Sequence, residues 1–143
     1  MEVVLVSACL LGLPTRYDGR AKPSEAVGEA LAGGVPVPVC PEQLGGLPTP
    51  RSPCEISNGD GHDVLDGRAR VVSDDGRDCT GQYVRGAEVV LRMAQMVGAH
   101  RAVLKQRSPA CGCGAIVRNG VAVDGDGVCA ALLRRNGLDV VAL

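Results

Sequence analysis

The chain contains no Phe and no Trp, and its only aromatic residues are Tyr17 and Tyr83. A core without large rings must be built from Val, Leu, Ala and Met. A surface without them lacks the stacking platforms that hold single-stranded nucleic acids. Net charge is nearly absent too: 15 basic residues against 16 acidic ones leave −1 at pH 7. That removes the general electrostatic pull toward nucleic acid or a membrane surface. No apolar stretch is long enough to span a bilayer. The opening MEVVLVSACL has an acidic residue at position 2, no basic segment and too short an apolar run for a signal peptide. Gly59-Asp60-Gly61 and Gly125-Asp126-Gly127 are glycine-rich, but neither matches a Walker pattern, so they read as turns and a helix cap. No repeat or low-complexity linker divides the chain, and 143 residues suffice for one domain, 1–143, with a real core. The expectation is a cytoplasmic protein whose seven cysteines stay reduced rather than forming a disulfide framework.

Short aliphatic runs punctuate the sequence. Val3–Ser7, Val35–Val39, Ala102–Lys105 and Asp139–Leu143 have the near-continuous apolar character of buried parallel strands. Ala69–Ser73 is a weaker extended piece. Ala115–Val117 and Val121–Val123 flank Arg118-Asn119-Gly120, where Asn-Gly predicts a hairpin turn. Helices are predicted between these runs. One is capped by Ser24 and runs to Leu31, one is capped by Thr80 and ends at Gly98, and one is capped by Asp126 and stops near Gly137. In the second, Val84, Ala87, Leu91, Ala94 and Val97 recur at helical spacing and would face the sheet. The alternation predicts an α/β, Rossmann-like layered fold with a mostly parallel sheet and flanking helices. Pro36 and Pro38 remove two amide donors two residues apart, which confines their strand to a sheet edge. The Gly- and Pro-rich segment from Pro41 to Gly67 reads as a long functional loop.

Cys9, Cys40 and Cys111 each follow one of the aliphatic runs. Parallel strands would bring all three thiols to the carboxyl edge of one sheet, where such folds bind ligands. A soft thiolate set favours an iron–sulfur cluster or zinc over magnesium or calcium. Three thiolates on a four-iron cluster leave one iron open for Lewis-acid chemistry. Spacing alone leaves other readings: buried cysteines acting as small hydrophobes, a non-catalytic metal or iron–sulfur binding module, or a thiol redox enzyme using Cys111 and Cys113. His62 and His100 read as exposed loop residues.

At the same residues the chain resembles a known family. VSACLLG (6–12), RYDG (16–19), PVCPEQLGGLPTPR (38–51), GDG with DVLDG (59–67), RSPACGCG (107–114) and GDGVCAALLRRNG (125–137) are similar to the family catalogued as domain of unknown function 523, whose characterised members are thiouracil desulfidases. The resemblance runs nearly end to end. It implies a [4Fe-4S] cluster with three cysteine ligands, here Cys9, Cys40 and Cys111, and one open iron. It also implies a small thiolated pyrimidine such as 2-thiouracil, whose sulfur binds the open iron and leaves as sulfide. Glu42 matches the family's proton-transfer acid and Ser108 a serine beside the substrate. Arg51 flanks the same site and is expected to bind substrate. Some relatives carry a further C-terminal domain and act on thiouridine in tRNA; that domain is not expected here. Thr15 and Ala110 depart from the family pattern, where Cys and Ser are common, and Ala110 bears on the choice of substrate. Cys54, Cys79 and Cys129 are expected to be packing residues, and Cys113 a structural one.

Overall fold

The computed structural model describes residues 1–143. Strand β1 (Val3–Ser7) leads through a 3-10 turn (Ala8–Leu11) to α1 (Ala26–Leu31) and β2 (Val35–Val39). Then follow α2 (Pro41–Leu44), β3 (Cys54–Ile56), α3 (Gly61–Leu65), β4 (Val71–Ser73) and the long α4 (Thr80–Val97). The chain closes with β5 (Arg101–Leu104), β6 (Ala115–Arg118), β7 (Val121–Asp124), α5 (Val128–Arg135) and β8 (Asp139–Ala142).

Four strands form one parallel sheet in the order β2-β1-β5-β8. Side chains alternate across it as strand geometry requires. Val4, Val6 and Val103 pack with Val27 of α1 on one face. Leu5, Ala102 and Leu104 pack with α4 and α5 on the other. From β1 the chain steps to β2 on one side and later returns to β5 on the other. The crevice at the carboxyl ends of β1 and β5 is therefore the switch point where α/β sheets bind ligands. β2 is an edge strand, with Pro36 opposite Val4 and Pro38 opposite Val6. The β6–β7 hairpin turns at Asn119 and Gly120, both at positive φ (52° and 75°) as a type I′ turn demands.

Several local expectations are corrected. The segment from Pro41 to Gly67 is not one long loop but holds α2, β3 and α3. None of the three expected caps acts as one. Glu25 occupies the N-cap of α1 in place of Ser24, and Cys79 that of α4 in place of Thr80. The Thr80 hydroxyl instead accepts the Val71 N–H at 2.9 Å and donates to Asp78 at 2.6 Å, tying α4 to β4. Gly127 caps α5, because the Asp126 carboxylate is drawn into tertiary bonds. On α4 the buried stripe is Tyr83, Gly86, Ala87, Val90 and Ala94, and Val97 is exposed. His62 is no free loop residue: Nε2 donates to Asp126 Oδ2 at 3.0 Å and Nδ1 accepts from Arg135 at 3.1 Å.

Candidate active site

A cleft of about 350 Å³ opens at the carboxyl edge of the parallel sheet. Cys9, just past β1, Cys40, just past β2, and Cys111, after β5, all line it, together with Glu42, Arg51 and Ser108. Each residue arrives there for a local reason. Val35–Val39 delivers Cys40 at the strand end, and Pro41, with its fixed φ, starts α2 at once and lifts Glu42 over the cleft. At Ser108 the chain turns sharply: its Oγ accepts the N–H groups of both Ala110 and Cys111 at 3.1 Å. That turn leaves the hydroxyl proton of Ser108 free and fixes where Cys111 points.

The three thiols differ in surroundings but share a charge environment. Cys9 and Cys111 are buried, and Cys40 is half-buried with Arg51 Nη2 at 4.0 Å from its sulfur. Burial raises the Cys9 thiol above its ordinary value, and the neighbouring Cys40 adds to the rise. Burial likewise pushes Cys111 far up, with Cys129, Glu42 and Cys40 contributing and Ser7 opposing. Cys40 adds to the rise at both Cys9 and Cys111, so its sulfur lies near each of them. Burial disfavours the thiolate forms of Cys9 and Cys111, and a bound metal is what offsets such a cost, by taking up the charge of the deprotonated ligand. The thiols of Cys9, Cys40 and Cys111, joined in the lining by Cys54, are soft donors that fit an iron–sulfur cluster better than a hard cation.

Glu42 is held by two donors. Tyr83 gives its hydroxyl to Oε1 at 2.7 Å, and Arg51 Nε reaches the same oxygen at 3.1 Å. The Arg51 side chain is only 5% exposed. Nη1 donates to Pro48 O and Thr49 Oγ1, and Nη2 to Thr15 O at 2.9 Å. One guanidinium thus links the 12–20 loop, Cys40 and Glu42. Lys105 lies in the lining near Arg16, Lys22 and Arg107. Its burial and these like charges lower its pKa, against the opposing pull of Cys9.

Other positions were misjudged or missed. Ala110 is 1% exposed beneath α5 and does not line the cleft, so its difference from the family pattern concerns packing rather than substrate. Cys54 lines the cleft as well as packing against the core. Burial pushes its thiol up to about 12, with Cys79 adding to the shift. Cys79 and Cys129 are buried core members. Cys113 turns away from Cys111: its thiol donates to Val140 O at 3.6 Å and receives Arg134. The two cysteines of Cys111-Gly-Cys113 therefore serve different regions. Ser7, Lys105 and above all Tyr83 went unnoticed as lining residues. The one available signal for Tyr83 was its being a lone ring in an otherwise aliphatic interior.

A parallel α/β sheet with a thiol-lined crevice at its switch point, a carboxylate held over it and a serine beside it has the layout of an α/β enzyme site. The chain belongs to the 2-thiouracil desulfurase family, whose model matches residues 4–142. It is 41% identical over 143 residues to the uncharacterised protein YbbK of Bacillus subtilis (strain 168), covering 98% of this chain and 95% of that one. Its fold matches the solved structure of the [4Fe-4S]-dependent thiouracil desulfidase TudS with a TM-score of 0.85 and 41% identity, over 99% of this chain and 91% of that one. The chain is thus a desulfidase-type enzyme of this family. No helix is long and apolar enough to cross a membrane.

Proposed function

We propose that residues 1–143 form one catalytic unit that removes sulfur hydrolytically from a small thiolated pyrimidine, such as 2-thiouracil, releasing sulfide. The observation that carries this reading is the meeting of Cys9, Cys40, Cys111, Glu42 and Ser108 in the lining of one cleft. A [4Fe-4S] cluster on Cys9, Cys40 and Cys111 would supply an open iron, a Lewis acid that polarises the thiocarbonyl of the substrate.

The chain's own residues do the rest. Glu42 takes a proton from the attacking water or passes one to the ring nitrogen, as a carboxylate within reach of the reacting atoms does. Ser108 donates its free hydroxyl proton to an acceptor on the pyrimidine and sets the ring's orientation. Arg51 contributes positive charge beside Cys40 and Glu42, where an anionic centre and a carboxylate must coexist. Its N–H groups are engaged by Glu42, Pro48, Thr49, Thr15 and the Cys40 sulfur, so it serves the substrate through its charge rather than through a free donor. The low net charge favours a free base or nucleoside over a nucleic acid.

The test is anaerobic purification, iron and sulfide analysis, and assay with 2-thiouracil. Cluster loading together with uracil and sulfide release is expected. Loaded protein that releases no uracil would instead mark a binding module. Glu42→Gln is expected to lower kcat by about a hundredfold to ten-thousandfold while keeping the iron. Full turnover by that variant removes Glu42 from the mechanism.

A further inference from the structure

The interior is aliphatic except at one point. Tyr83 is 1% exposed, and with no Phe or Trp in the chain it is the sole buried ring. Packing alone is achieved elsewhere by Val, Leu and Ala, so a hydroxylated ring here calls for its own explanation. Its hydroxyl lies 2.7 Å from Glu42 Oε1. Burial, then the Glu42 charge, holds its pKa well above the ordinary value, so Tyr83 keeps its proton and acts as the donor.

The contact is built in by the backbone. α2 sits against α4 without side chains between them: a Cβ on Gly86 would stand 1.9 Å from Pro41 O, and one on Gly45 2.0 Å from Gln82 O. That approach sets Glu42, one residue after Pro41, directly over Tyr83, three residues before Gly86. Arg51 binds the same Oε1 at 3.1 Å. Both donors thus converge on one oxygen. Oε2 has no partner in the protein, yet no buried side-chain oxygen is left unbonded. Oε2 is therefore accessible to solvent, on a residue that lines the cleft.

We infer that Tyr83 is a positioning residue, which pins Oε1 of Glu42 so that Oε2 faces the reacting atoms. The inference rests on the proposed role of Glu42 and names what orients it. Loss of one such anchor lets the carboxylate rotate, and misplacement by an ångström costs about a hundredfold in rate.

The test compares wild type, Tyr83→Phe, Glu42→Gln and the double variant as cluster-loaded protein with 2-thiouracil. For Tyr83→Phe, kcat is expected to fall by about tenfold to a hundredfold, with KM and iron content unchanged. The double variant should be no slower than Glu42→Gln alone, since Tyr83 acts only through Glu42. In cluster-free protein the carboxylate infrared band that Glu42→Gln abolishes should shift in Tyr83→Phe. Wild-type kcat in Tyr83→Phe, an unmoved band, or a double variant slowed further by the full Tyr83→Phe factor overturns the inference. If Glu42→Gln is inactive and Tyr83→Phe is not slowed, only this inference falls; if Glu42→Gln is fully active, the catalytic reading of Glu42 falls with it. Should Tyr83→Phe not fold, 3-fluorotyrosine incorporated in a Tyr17→Phe background alters only the donor strength. A changed kcat at constant KM then supports the inference, and an unchanged kcat overturns it.

Discussion

Two clusters of metal-ligating side chains lie in this molecule, and they are opposites. Asp60, His62 and Asp126 bring their donor atoms within 4.8 Å of one another. Each donor is already satisfied: Asp60 accepts the His62 and Asp126 N–H groups, and Asp126 accepts from Gly114, His62 and Arg134. The cluster is a clasp between α3 and α5. At the sheet edge, Cys9, Cys40 and Cys111 form no such tight group. Their thiols are free of one another, and space lies between them. Proximity of ligand types is thus a poor sign of a metal centre. The thiols instead border an open volume, and Cys40 keeps only long contacts, to Thr15 O at 3.7 Å and Arg51 Nη2 at 4.0 Å.

Several experiments would break or sharpen that contrast. The largest effect is expected from Cys40→Ser, Cys9→Ser or Cys111→Ser: loss of bound iron and of uracil release, measured on anaerobic protein. Retention of both by any of the three would remove that residue from the ligand set. Gly86→Ala comes next. It drives a methyl into Pro41 O, so α2 must move, taking Glu42 and the residue after Cys40 with it. Turnover should fall, with about 1–3 kcal/mol of stability lost, seen by assay and thermal melting together.

In the clasp, Asp126→Asn should leave iron and turnover intact and cost about 1–3 kcal/mol. Burial acts to raise the Asp126 pKa, but the Gly114 N–H, His62 and Arg134 outweigh it and the net shift is downward. A lowered folded value means the stabilisation is present above the unfolded value of about 3.9 and fades as pH falls through the folded one. The melting difference between wild type and Asp126→Asn should therefore be largest near neutrality and shrink in acid. The smallest effect is none: Mn²⁺ or Ca²⁺ should not raise the melting temperature, because the clasp has no free donor to offer. A clear rise, abolished by Asp126→Asn, would overturn the contrast.

The same contrast explains what could be read from sequence. β1 and β2 were legible to the residue because each is a continuous aliphatic run, buried in β1, while Pro36 with Pro38 marked β2 as the more exposed edge. The convergence of Cys9, Cys40 and Cys111 followed from those strands. α2, β3 and α3 were not legible, being three to five residues long and held by tertiary contacts rather than by periodicity. Thr80 and Asp126 looked like helix caps because that is their strongest local preference, and a distant partner won in each case. Tyr83 falls in a helical stripe like any core residue; only its hydroxyl matters, and its partner lies 41 positions away.

The order of the parallel strands also has a consequence in time. Cys9 and Cys40 precede the third wall of the cleft, which waits for Cys111, and β8, which flanks β5, comes later still in the chain. A polypeptide made only as far as Cys40 therefore has two walls of the receptacle without the third, and no ligand that needs all three thiols can be held before Cys111 is in place.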